Sequence, residues 1–109
     1  MYNNLRLAYI TTANREEARI IGRSLVDNKL AACVNIIDGM ESIYRWKGKI
    51  SEDKETILLA KTHYTKMKAL TDHVKGMHSY DCPCIISFSI NEEGGNEDYK
   101  QWLLGELKK

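Results

Sequence analysis

The hydrophobic pattern along the chain changes period several times, and each change marks a new element. Leu5 to Thr11 is an apolar-rich run of strand length. Asn14, with Glu17 three residues later, has the form of a capping box, so a helix is predicted to open there. Ala18, Ile21, Gly22, Leu25 and Val26 recur at i, i+3, i+4, i+7 and i+8, an apolar stripe that ends near Asn28 and would lie against a sheet. Leu30 to Trp46 is strand-like, rich in β-branched and aromatic residues and interrupted at Asp38-Gly39, where glycine can take the positive φ of a bulge or bend. Lys47-Gly48 has the character of a hairpin turn, after which Lys49 to Thr62 pairs back. That return strand is charged first, through Glu52, Asp53, Lys54 and Glu55, and apolar later, through Ile57, Leu58, Leu59 and Ala60. Its charged part is expected outside the core.

Met67, Leu70, Val74 and Met77 repeat at helical spacing, which predicts a second helix from about Thr65 until the stretch His78 to Pro83 breaks it. Ile86, Phe88 and Ile90 alternate with Ser87 and Ser89, the period of a half-buried strand over Ile85 to Ile90. Gly94-Gly95-Asn96 is a turn, and Glu97 and Asp98 suit the start of a last helix whose apolar face would be Tyr99, Trp102, Leu103 and Leu107. The order strand, helix, strand, strand, helix, strand, helix predicts one α/β (α+β) domain over residues 1–109. It is the split βαβ arrangement of ferredoxin-like domains, with an antiparallel sheet, a long second hairpin and one extra C-terminal helix.

The hairpin is too long for its own domain. Seventeen residues from Leu30 to Trp46 would reach on the order of 50 Å when extended, against about 35 Å across a globule of this size. Its far end carries Ile43, Tyr44, Trp46 and Ile50, an adhesive patch on a lone chain. Either the arm packs on a neighbouring copy, or a sharp bend at Asp38-Gly39 folds it back onto its own core.

Composition narrows the function. Hydrophobic residues make up 43% and charged residues 28%, with a single proline, so a packed fold is expected. The 16 basic and 15 acidic residues are well mixed, which leaves no basic stripe for nucleic acid. No apolar run approaches the ~20 residues needed to span a bilayer, and Asn3, Asn4 and Arg6 stand where a signal peptide would be apolar. Three cysteines, Cys33, Cys82 and Cys84, are an odd number that argues for reduced thiols and a cytoplasmic protein. There is no phosphate-binding glycine loop, metalloprotease helix or nucleophile elbow, so an enzyme is not expected.

Several segments carry a family resemblance. Leu30-Ala31-Ala32-Cys33-Val34-Asn35-Ile36-Ile37, then Gly39, Ser42-Ile43-Tyr44, Trp46 and Gly48-Lys49, closely resembles the central segment of the CutA (divalent-cation tolerance) family. Lys61-Thr62, His78-x-Tyr80 with Pro83, and Gly95-Asn96-x-x-Tyr99-x-x-Trp102 match in the same order, over nearly the whole chain. The resemblance implies a tight homotrimer held by long strands, similar in shape to PII signalling proteins, which binds copper or other divalent metals and has no established reaction. The chain departs from the family pattern at Ser79, where members usually have proline, and at Cys84, where they usually have an acidic residue.

The candidate chemistry follows from these residues. His78 could ligate copper or zinc, or it could be a helix terminus bonded to backbone. Met77 stands where some copper-binding members have another histidine, and it also completes the apolar stripe of its helix. Cys82 and Cys84, at i and i+2, could grip one soft ion, Cu(I) or Zn(II). Cys33 reads as a small buried hydrophobe that could become a ligand if three copies converged. Lys61, Tyr80, Tyr99 and Trp102 could line a cleft between copies, with Lys61 facing an anion, as in a PII-like signalling or scaffold module. His63 and His73 read as solvated surface groups.

Overall fold

The computed structural model describes residues 4–108; Asn3, invoked above for its polarity, lies outside them. The elements in order are β1 (Leu5–Thr12), α1 (Arg15–Asp27), β2 (Cys33–Trp46), β3 (Lys49–His63), a short 3-10 turn (Tyr64–Lys66), α2 (Met67–Met77), β4 (Ile85–Ser89) and α3 (Glu97–Lys108). They form a four-stranded sheet of order β2-β3-β1-β4 in which every neighbouring pair is antiparallel. This is the predicted ferredoxin-like plan with its additional helix.

The predicted capping box forms with one change of partner. The Asn14 side chain accepts the Glu17 N–H at 2.8 Å, but the Glu17 carboxylate reaches back to the Ala13 N–H, at 2.9 Å. The stripe on α1 buries Ala18, Ile21, Gly22 and Leu25. These pack with Leu70 and Val74 of α2 onto Ala8, Ile10, Leu58 and Ala60 of the sheet. Gly22 is needed for close approach: a Cβ there would sit 3.1 Å from both Leu58 Cδ1 and Val34 Cγ2.

Strand alternation decides what the other face carries, because residues paired directly across strands share a face. Leu7 pairs with Lys61 and Phe88, Tyr9 with Leu59 and Ile86, Thr11 with Ile57, and Ile37 also with Ile57. The face away from α1 and α2 is therefore largely apolar. At one end α3 covers it, packing Leu103 and Leu107 on Leu5 with Cys33 and Ala32 alongside. Beyond α3, Ile37, Ile86 and Phe88 are each about half exposed.

Two expectations need correction. The buried face of α3 is Lys100, Leu103 and Leu107, whereas Tyr99 and Trp102 are 41% and 46% exposed, because this helix meets the sheet through its C-terminal half. The alternation in β4 places Ile86 and Phe88 on the open face, so that strand is not half-buried within the chain.

The β2–β3 hairpin does not fold back. A register shift between Ile37 and Met40 marks a bulge, with Gly39 at φ 79°. Asp38 Oδ1 accepts from both the Gly39 N–H and the Thr56 hydroxyl at 2.8 Å, which pins the bulge. The Thr56 bond first, then the Gly39 bond, holds the Asp38 carboxyl below the usual carboxylate range. Past it the strands continue paired to Trp46 and Lys49. The molecule measures 46 × 27 × 23 Å, and its radius of gyration, 14.7 Å, exceeds the about 13 Å of a compact chain of this length. Ile43 and Ile50 at the far end are 69% and 65% exposed.

Gly22→Val adds volume that Leu58 and Val34 would have to make way for, and it is expected to cost about 1–3 kcal/mol by overpacking. The midpoint of urea unfolding measures this.

Candidate functional site

Two polar clusters lie toward opposite ends of the sheet. The first gathers where the segment after α2 crosses the end of β1. His78 leaves the helix in extended conformation, φ −77° and ψ 143°, which swings its ring over the sheet. Its side chain has no exposed surface. Nε2 lies 2.8 Å from the Thr11 carbonyl and Nδ1 is 3.1 Å from the Tyr80 backbone N. A carbonyl only accepts and an N–H only donates, so in this arrangement Nε2 is the donor and Nδ1 the acceptor. Metal ligation at either nitrogen would require giving up one of these bonds.

Around this ring the network is continuous. Glu17 Oε1 lies 4.0 Å from Nδ1, and Oε2 accepts the Ser79 N–H at 2.8 Å. Burial works against the Glu17 charge, but the bonds from Ala13 and Ser79 outweigh it and hold the carboxyl below its usual range. The Tyr80 ring packs 4.7 Å from the His78 ring, and its hydroxyl donates to Glu55 Oε2 at 2.9 Å. Burial first, then the bond to Glu55, drives the phenol pKa well upward, so Tyr80 remains a donor. Cys84 joins through its carbonyl, which accepts the Thr11 N–H at 3.3 Å. Its thiol is pushed up by burial and then by the Glu55 charge, against a weaker opposing bond with Thr11. A thiol held protonated is a poor nucleophile. Cys82 is exposed.

The second cluster is centred on Lys61. Its ammonium donates to the Tyr99 hydroxyl at 3.1 Å, lies 5.3 Å from the centre of that ring and is 4.0 Å from Cys33 Sγ. Tyr99 in turn packs on Trp102 with ring centres 5.6 Å apart. Among the described residues no carboxylate pairs with Lys61.

The structure thus brings Lys61, Tyr99 and Trp102 together with Cys33 and separates them from Tyr80. Within one chain the expected four-residue cleft is split: Tyr80 meets Glu55, six positions from Lys61 along β3 and about 20 Å away. The proposed metal ligands are likewise dispersed, with Met77 37% exposed at the end of α2 and Cys33 beside Lys61. Among the described residues no three His, Cys, Asp or Glu side chains converge as a metal group. His63 and His73 have partners after all: His63 Nδ1 accepts the Thr65 N–H at 3.1 Å, and His73 Nε2 lies 2.7 Å from Ser24 Oγ. Thr11, Glu17 and Glu55 were missed. For Glu55 a signal existed, since counting by twos from Ile57 and Leu59 puts it on their face.

Comparison with known proteins identifies the architecture. The sequence profile described as CutA1 divalent ion tolerance protein matches residues 6–106. The chain belongs to the CutA1 family. It is 46% identical over 94 residues to the divalent-cation tolerance protein CutA of Thermus thermophilus, covering 86% of this chain and 89% of that protein. It is 43% identical over 97 residues to the chloroplastic protein CutA of Arabidopsis thaliana, covering 89% of this chain but 52% of that protein. The chain spans about half the length of such plant relatives. Among solved structures, CutA1 from Oryza sativa superposes with a TM-score of 0.88 at 42% identity, covering 94% of this chain and 92% of that one. The Thermus thermophilus CutA1 structure gives 0.87 at 43%, covering 91% and 94%.

In this CutA1 chain the lowered Glu17 carboxyl has a signed consequence. A group whose folded pKa lies below its unfolded value of 4.5 adds stability above that value, which is lost as pH falls through the folded pKa. Glu17→Gln is expected to lower stability at neutral pH and to flatten the acid limb below pH 4.5, read from urea midpoints across that range.

Proposed function

We propose that the chain works as a homotrimeric binding protein for copper or other divalent metal ions in metal-ion response or tolerance, without catalysing a reaction. The observation that carries this reading is the uncovered apolar surface: Tyr44 and Trp46 share by register the open face of Ile37, Ile86 and Phe88, and Ile43 and Ile50 stand exposed on the other face of the arm. A surface of that kind is costly on a lone chain and is removed by burial against sister copies. The two sheet edges, β2 and β4, differ, so contact of one with the other is head-to-tail, the kind that closes into a ring when the rotation between copies allows it. Three unpaired cysteines fit a cytoplasmic setting.

For the metal, the thiols of Cys82 and Cys84 come before His78, whose nitrogens are both engaged. A soft ion such as Cu(I) or Zn(II) suits them. A second reading has its own observation. Lys61 meets only a phenol and a thiol, so a small anion would give it the charge partner it lacks, as in a PII-like signalling or scaffold module.

Light scattering at micromolar concentration is expected to give about three times the 12.5 kDa chain mass; a single-chain particle overturns the assembly. Calorimetric titration with Cu(I) and Zn(II) is expected to show binding that Cys82→Ser and Cys84→Ser each weaken at least about tenfold, while His78→Ala leaves it largely unchanged. Absence of binding, or loss only in the histidine variant, overturns the thiol assignment.

A further inference from the structure

The least expected buried side chain belongs to a lysine. Lys100 lies in the first turns of α3 and is 8% exposed. Lysine is almost never buried without a partner, and near a helix N-terminus the macrodipole disfavours its charge further. The compensation is in the loop that precedes the helix. Lys100 Nζ donates to the carbonyls of Asn91, Glu92 and Gly94 at 2.9, 3.0 and 2.6 Å. An ammonium has three N–H donors, and here each has its own carbonyl. The loop is shaped around that point: Gly94 and Gly95 have φ 81° and 77°, and Gly95 lies against the lysine stem. Among the described residues, one buried carboxylate oxygen of Glu92 has no hydrogen-bond partner.

Three backbone oxygens converging on one positive centre are the features of a cation site. We infer that the β4–α3 loop is a small-cation site that the chain fills with its own Lys100 ammonium, and that this internal cation positions Tyr99 against Lys61. The coupling is short. Asn96 caps the same turn by accepting the Asp98 and Tyr99 N–H groups, and Tyr99, next to Lys100, holds the Lys61 ammonium. Lys100 is therefore a positioning residue for the Lys61 cluster. The vacated site should accept potassium, ammonium or a short alkylammonium. A guanidinium should not serve, because its N–H donors lie in one plane on three nitrogens and cannot diverge from a single atom to three carbonyls.

The test removes the stem and supplies the charge from solution. Lys100→Ala is expected to melt on the order of 10 °C below the parent protein. Amide exchange in residues 91–96 should accelerate, and in a Trp46→Phe background the Trp102 emission should shift. At ~100 mM, n-propylammonium filling a site of ~1 mM affinity multiplies the folded-to-unfolded ratio about a hundredfold, which should restore most of the loss and reverse the emission shift. Tetramethylammonium at equal ionic strength should restore neither. Lys100→Arg is expected to behave like the alanine variant despite its charge. If Lys100→Ala does not fold, its refolding yield is compared in the two ammonium salts, and a gain with n-propylammonium alone supports the site. Equal effects of both salts, an unperturbed Lys100→Ala or full replacement by arginine would each overturn it.

Discussion

The register of β3 is the constraint on which the rest of the structure depends. This strand pairs with β1 on one side and β2 on the other, and its alternation divides its residues between two environments. Thr56, Leu58, Ala60 and Thr62 face the helices and are buried. Glu55, Ile57, Leu59 and Lys61 face the other way. A slip of one residue would exchange the two sets, putting Glu55 and Lys61 into the core and Leu58 into water. The double pairing prevents this, and two buried hydroxyls reinforce it: Thr62 donates to the Leu30 carbonyl at 2.6 Å and Thr56 to Asp38 at 2.8 Å. With the register held, Glu55 and Lys61 must bracket an apolar strip of the same face.

Each bracket then acquires the partners that its charge requires. At the Glu55 end the polar groups are interior enough that an unmet acceptor would cost about 1–3 kcal/mol, so the network closes on itself through Tyr80, His78 and Thr11. Closure fixes which nitrogen of His78 donates and which accepts. At the Lys61 end the surroundings are aromatic and, among the described residues, no carboxylate is paired, which leaves a cation whose field extends outward. The same strand thus ends in a satisfied network on one side and an unsatisfied charge on the other.

Much of this was legible in the residues. Period-two and period-3.6 patterns placed each strand and helix, and the length of the Leu30–Trp46 run foretold the projecting arm. What escaped was whatever depends on which face a charged residue takes. Glu55 lay in a charged run and read as solvent-facing, although parity with Ile57 put it beside Tyr80. Lys100, between Tyr99 and Trp102, was not singled out, because nothing in its spacing announces three carbonyls turned inward beside a pair of glycines. Tyr99 and Trp102 matched a helical period, yet Leu103 and Leu107 alone suffice to seat α3 on Leu5.

The two departures from the family pattern have physical consequences at the same place. Proline at position 79 would have no N–H, so the bond from Ser79 to Glu17 exists only because serine stands there, and it ties α1 to the segment after α2. A carboxylate at position 84 would face Glu55 as a like charge, and one of the two acids would have to stay protonated or move away. A thiol avoids that conflict by remaining neutral beside Glu55. The same neutrality would oppose the soft-metal binding proposed for Cys84, because an ion must displace the thiol proton. Were an ion to take that proton's place, the Glu55 carboxylate that disfavours the bare thiolate would favour the added positive charge.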